Sequence, residues 1–194
     1  MNGQSEQQAL AKRFAELSAR AERRGVYTFT PFLDLAQQSL LRAMERQLAL
    51  PPLWFGGYEG AERQLACFGR REEIGFPPAP PIVCLQVKAK SQRFTRELGH
   101  RDLLGAIMAL GVKRELIGDI LPQGKGGYVF CLAEIGDYLC QQLTEVGSAA
   151  VTCVPCAGPE GAFCQPEPET VISASLRLDG LIAAVWDLSR SESA

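Results

Sequence analysis

The sequence predicts an α+β protein: a small N-terminal α+β domain, then a ferredoxin-like βαββαβ domain, then the first helix of a third module. Three observations carry that expectation. Two N-terminal stretches repeat apolar residues at helical spacing. Residues 82–156 alternate strand-like runs with helical stripes in the order β-α-β-β-α-β. Two stretches rich in Pro, Gly and charge, residues 71–81 and 157–170, separate the parts as linkers. The expected domains are therefore residues 1–70, 82–156 and 171–194.

In the first domain, Leu10, Phe14, Leu17 and Ala21 make one helical stripe over residues 6–24, and Gly25 follows as a stop. Thr30-Pro31 reads as an N-cap followed by Pro at the first helical position. Leu33, Ala36, Leu40 and Met44 then form a second stripe to about residue 48, closed by Pro51-Pro52. Residues 53–55 and 63–68 read as short strands around Gly56-Gly57-Tyr58. Four prolines between residues 70 and 81 mark the first linker.

In the second domain, residues 82–89 form a strand and residues 100–110 a helix, with Leu103, Ile107 and Leu110 on one face. Gly111 sits where a helix C-cap belongs, and Lys113 and Arg114 stand at the corner beyond it. Residues 117–121 and 128–133 are strands joined by a hairpin loop at residues 123–127. Residues 137–146 form the second helix, and residues 149–154 the last strand. Beyond the second linker, Leu178, Leu181 or Ile182, and Val185 fit one helix face. One short helix cannot bury its own apolar side. It either packs on the rest of the chain or opens a module that is incomplete in these 194 residues.

Composition narrows the function classes. A hydrophobic share of 46% and a charged share of 22% are ordinary for a globular protein. A net charge of −2 argues against coating nucleic acid by bulk charge, but it permits a local basic patch. No apolar run approaches the roughly 18 residues of a membrane span, and the polar N-terminus has no signal-peptide core. A cytoplasmic location without membrane partners is expected. The seven cysteines then read as small buried hydrophobes. Cys153 and Cys156 form a lone Cys-x-x-Cys, without the second pair that a closed metal site needs, so no metal is expected.

Several motifs fail on inspection. His100-Arg101-Asp102-Leu103 matches the start of a kinase catalytic loop, but Ile107 stands where the metal-binding Asn belongs and no Asp-Phe-Gly exists. Asp102 reads better as a helix-start residue set against the dipole. Gly124-Lys125-Gly126-Gly127 lacks phosphate-loop spacing and reads as a turn. Tyr128 and Phe130 stand where an RNA-recognition motif carries its aromatic strand, without that signature's Gly-aromatic-Gly core. The cations Lys88, Lys90, Arg93, Arg96, Arg101, Lys113 and Arg114 bracket one helix of an acidic chain. Such a set binds phosphate without reading sequence.

Phe55-Gly-Gly-Tyr-Glu-Gly-Ala-Glu-Arg63, the block from His100 to Ile120, Val146-Gly147, and Ser175-Leu-Arg-Leu-Asp179 with Leu188-Ser-Arg190 occur in the order of the YlmH family. The chain resembles that family of bacterial RNA-binding proteins over nearly its whole length. The resemblance implies an N-terminal domain, an RNA-recognition-like central domain and a C-terminal S-four-type RNA-binding domain. This sequence carries the start of that last domain without its Gly-x-Val-x-Val-Asn-type hairpin. The resemblance also implies binding to the large ribosomal subunit, with ribosomal RNA and tRNA as partners, in quality control of stalled nascent chains.

On the S-four pattern the resemblance assigns RNA contacts to Arg177, Ser189 and Arg190. Lys113, Arg114, His100 and Arg101 are the expected second RNA surface, on the central domain. Arg63 is a further candidate, with a role beside Glu62 in holding the Gly-Gly-Tyr turn as its alternative. No nucleophile–base pair or carboxylate pair is visible, so no catalytic residue and no cofactor are expected. The rival functions are an RNA-modifying enzyme using His100 and Asp102, and a protein-interaction adaptor in translation.

Overall fold

A computed structural model describes residues 2–91, 96–159, 170, 172 and 177–186. It divides into two units, Met1–Glu160 and Gly161–Ala194. The first begins with helix α1, Asn2–Arg24, and the short strand β1, Thr28–Phe29. Helix α2 spans Leu35–Ala43 and leads into a 3-10 turn at Glu45–Gln47. Strands β2, Leu53–Phe55, and β3, Leu65–Phe68, complete an antiparallel sheet in the order β1-β3-β2. The helices cover this sheet through Phe14, Ala21, Leu41, Leu50 and Phe68. Where that core meets a polar side chain, the group is satisfied: Ser18 Oγ donates to Leu50 O at 3.1 Å and accepts from Leu50 N at 2.7 Å.

Thr30-Pro31 does not cap the second helix. The cap is Asp34, whose Oδ1 accepts from Gln37 N while Asp34 N donates to Gln37 Oε1, a reciprocal capping box. Thr30 serves the sheet instead, its hydroxyl accepting from Ala66 N and donating to Pro31 O. A cap needs a side-chain oxygen aimed at the first helical amides, and here the chain makes a bridge at Leu33 to Gln64 before it turns into the helix. Within the stretch read as a linker, α3, Arg71–Ile74, forms one helical turn, and Phe76 meets Tyr27 edge to face.

The second sheet contains β4, Ile82–Ala89; β5, Ile117–Gln123; β6, Gly126–Leu132; β7, Glu145–Val146; and β8, Ala149–Cys156. Its order is β5-β6-β4-β8-β7, antiparallel throughout. Helices α4, His100–Ala109, and α5, Ala133–Gln142, lie on one face. Leu85, Val87, Leu103, Ile107, Val129 and Leu139 fill that side. Helix α5 begins four residues earlier than expected, directly after β6, because Ile135, Leu139 and Leu143 carry its buried stripe. Val146 belongs to a hairpin strand, turned at Gly147, and is not helical.

Strand β5 carries one irregularity. Ile117 and Ile120 both enter the helix-side core, although a regular strand sends residues three apart to opposite faces. The register slips between them, where Ile117 pairs with Cys131 and Ile120 with Val129. This bulge at Gly118-Asp119 re-aims Asp119 away from the helices. The second unit contains α6, Leu178–Trp186, with Leu178, Val185 and Trp186 exposed. No described helix is long and apolar enough to cross a membrane.

Candidate nucleic-acid interface

The face of the second sheet opposite its helices carries Ile82, Cys84, Gln86 and Lys88 from β4, with Tyr128 and Phe130 from β6. Its two ends differ. At the Ile82 end the loop Gly56-Gly57-Tyr58 lies on the sheet, and Tyr58 stacks on Phe130 with ring centroids 4.9 Å apart. Gly57 has φ 96°, and a Cβ there would meet the Phe130 ring at 2.5 Å. Only glycine lets the loop approach so closely. Phe130 is therefore covered by the chain's own first domain, and Tyr128 is buried with its hydroxyl accepting from Gln86 Nε2 at 3.1 Å. Base stacking on these two rings, as an RNA-recognition motif uses them, is closed off in this arrangement.

Asp119 holds that loop. Its Oδ2 accepts from the Tyr58 hydroxyl and from Glu62 N, both at 2.7 Å, and its Oδ1 accepts from Arg63 N at 2.9 Å. Burial, followed by the hydrogen bond to Asp119, pushes the Tyr58 phenol up from its ordinary value. Arg63 lies alongside, its Nε donating to Ile117 O at 3.0 Å and its Nη2 to Phe32 O at 3.2 Å. Phe32 packs against Gly118, where a Cβ would stand 2.7 Å from the ring. Arg114 donates from Nη1 to Ile117 O at 2.6 Å and to Gly118 O at 3.2 Å. Burial lowers the pKa of both guanidiniums, which stay charged at neutral pH. Asp119 and Phe32 were not among the sequence candidates. A lone Asp inside the run Ile117-Gly-Asp-Ile120, with apolar residues spaced by three, was the available signal.

The structure separates the candidate cations of the central sheet. His100 and Arg101 open α4 and are exposed. Lys113 and Arg114 lie past its other end, roughly 15 Å away along a ten-residue helix. Lys113 is exposed, whereas Arg114 is half-buried and engaged with the bulge. The α4 start instead lies beside the β5–β6 turn, since Leu98 N donates to Gly124 O. Lys125 O in that turn accepts from Ala89 N, and Lys90 N donates to Ala150 O. Exposed Lys88 and Lys90 thus share one end of the sheet with His100 and Arg101. Arg177 is exposed in the second unit, and Ser189 and Arg190 lie outside the described residues, as does Arg93.

Asp102 is not available for acid–base chemistry with His100. Arg96 grips it in a fork, Nη1 to Oδ2 at 2.9 Å and Nη2 to Oδ1 at 2.7 Å, and Gly99 N donates to Oδ2 at 2.8 Å. The Arg96 hydrogen bond, with that from Gly99 N, lowers the Asp102 carboxyl to about 2. Its folded pKa is depressed, so its support of the α4 start is present above the unfolded carboxylate range and is lost as pH falls toward 2. Amide exchange at the first turn of α4 should rise in that acid window, and Asp102→Asn should remove the dependence.

A contrast between neighbours checks the assignments at the corner. Lys113→Glu changes only an exposed charge and should leave the melting temperature within about 1 °C. Arg114→Glu removes two bonds to carbonyls at the bulge and should cost about 1–2 kcal/mol by thermal unfolding. Equal stability of the two variants would contradict a structural role for Arg114.

Comparisons with known proteins bear on this sheet directly. The family model described as "Putative RNA-binding domain in YlmH" matches residues 82–157. Ribosome-associated protein quality control protein P2 of Bacillus subtilis is 32% identical over 171 residues. That alignment covers 84% of this chain and 64% of that protein, so the chain spans just under two thirds of the relative's length. The solved structure of cell division protein ylmH from Streptococcus pneumoniae superposes with a TM-score of 0.64 at 18% identity, covering 78% of this chain and 91% of the other. That likeness establishes a shared fold.

Proposed function

Because the chain belongs to the YlmH family, we propose that it is a non-catalytic RNA-binding protein. It acts on the large ribosomal subunit in rescue or quality control of stalled nascent chains. The observation that carries this reading is the coincidence of the family match at residues 82–157 with a sheet end bearing exposed Lys88, Lys90, His100 and Arg101. Cations on a rigid sheet end and a helix start suit phosphate oxygens, which position a protein on RNA without reading its sequence. The domain at 82–156 serves as a ferredoxin-like, RNA-recognition-like module whose aromatic face is covered by the first domain. Its contact with RNA then runs through the open end and not through stacked bases.

Residues 171–194 open an S-four-type module in which Arg177, Ser189 and Arg190 touch ribosomal RNA. tRNA on the same subunit is a further partner. The protein works in the cytoplasm and needs no cofactor. Asp102, held by Arg96 and Gly99, speaks against the rival enzyme built on His100 and Asp102. Sedimentation with separated ribosomal subunits tests the proposal. The chain should travel with large subunits at low salt and be released as salt rises. Equal recovery with small subunits, or none with large ones, would refute it.

A further inference from the structure

The Cys-x-x-Cys of residues 153–156 lies on β8, where side chains alternate between faces. Cys153 enters the helix-side core, and Cys156 joins the opposite face. They do not converge. The register instead sets Cys156 directly opposite Cys84 of β4, and the two Sγ atoms are 3.5 Å apart. Directly opposed residues of an antiparallel pair have Cα atoms about 4.5–5.5 Å apart, inside the span a disulfide bridges. Both thiols line a cleft of about 720 Å³ between the sheet and the loop Gly56-Gly57-Tyr58. Cys156 is partly exposed there, and Cys84 is buried beside it.

We propose that Cys84 and Cys156 are a redox-responsive dithiol, a site that closes to a cross-strand disulfide by exchange with a low-molecular-weight disulfide. The more exposed Cys156 attacks first, as thiolate, on one sulfur of the reagent. The reagent's S–S bond breaks, one thiolate leaves, and a mixed disulfide forms at Cys156. Cys84 then gives its proton to solvent and attacks Cys156 Sγ. The second reagent thiolate leaves, and the Cys84–Cys156 bond forms. Two protein thiols lose two electrons, and the reagent is reduced to two thiols. Burial holds Cys84 as the thiol, so the second step is the slower one. The remaining buried thiols are poor competitors: burial pushes Cys67, Cys131 and Cys153 up to about 12.

The test is incubation of the full chain with glutathione disulfide, then alkylation of free thiols and peptide mapping without reductant. A Cys84–Cys156 cross-link should form, with Cys67 and Cys131 alkylated only after denaturation and modified at least about ten-fold more slowly. Cys84→Ser should stop the reaction at a mixed disulfide on Cys156, Cys156→Ser should abolish it, and Cys153→Ser should leave the cross-link intact. If Cys84→Ser does not fold, Cys156→Ser and Cys153→Ser carry the same distinction. A Cys153–Cys156 cross-link, a persistent mixed disulfide in the unaltered chain, or no reaction at Cys156 would overturn the proposal.

Discussion

Asp119→Ala should lower the stability of the first unit by about 3 kcal/mol, the largest effect expected of a single polar substitution. The carboxylate is 9% exposed, and it accepts from the Tyr58 hydroxyl, Glu62 N and Arg63 N. Hydrogen bonds to an ionised acceptor contribute about 1.5–3 kcal/mol each, and three donors would lose their partner at once. Water entering the space recovers part of that loss. For a chain of 194 residues the change corresponds to a fall in melting temperature of roughly 6–12 °C. Asp119→Asn should cost about half as much. Its amide keeps one acceptor oxygen but turns an NH2 group toward Glu62 N or Arg63 N, a donor facing a donor.

The substitution should also free Tyr58. The Tyr58 pKa is raised in the fold, so the phenol contributes stability that is full below pH 10 and lost as pH rises beyond it. That alkaline loss should shrink in Asp119→Ala and vanish in Tyr58→Phe. Thermal unfolding between pH 8 and 11 measures both. An unchanged melting temperature in Asp119→Ala would mean that the loop is held by the Tyr58–Phe130 stack and the Arg63 bonds without the carboxylate.

The largest effect expected on binding is that of the pair Lys88→Glu with Lys90→Glu. Both side chains are exposed on one face of β4 and its continuation, so reversal should leave the melting temperature within about 1 °C. Affinity for large-subunit ribosomal RNA at low salt should fall at least about ten-fold. The milder Lys88→Ala with Lys90→Ala should reduce the salt slope by about 1.5, because each phosphate contact contributes roughly 0.7–0.9 to it. Lys113→Glu, at the far end of α4, should weaken binding much less. An equal loss from Lys113→Glu would place the RNA across both ends of the helix.

Strand β4 was legible to the residue, because an apolar run interrupted only by Gln86 and ended by Lys88 and Lys90 leaves little choice of boundary. The stripe Leu103, Ile107 fixed α4 to within one residue, since the helix ends at Ala109 and Leu110 is its C-cap. Boundaries failed where two local signals competed. Thr30-Pro31 has the chemistry of a helix start, yet the pairing of Leu33 with Gln64 delays the helix until Asp34. Val146 lies close enough to the end of a helix to look like its last turn, but Gly147 turns it into a hairpin.

Legibility of the site was more uneven. The corner Lys113-Arg114 was visible as charge, but charge alone cannot tell an exposed ammonium from a guanidinium spent on backbone carbonyls. Arg63 divides in the same way, and its contacts to Ile117 O and Phe32 O agree with a turn-holding role. Grouping His100 and Arg101 with Lys113 ignored the length of the helix between them. Asp119 stayed hidden because its meaning depends on a bulge, and a bulge is defined by its partner strand.

Phosphate contacts at the open end of the second sheet are what RNA binding by this chain depends on. Equilibrium filter binding of the chain to large-subunit ribosomal RNA across a salt series reads them out. The logarithm of the association constant should fall linearly with the logarithm of salt; Lys88, Lys90 and Arg101 together contribute a slope of about −2 to −3, and Arg177 and Arg190 make it steeper. Binding that is absent, or that ignores salt, in a chain shown to be folded would contradict a phosphate-binding role for this end of the sheet.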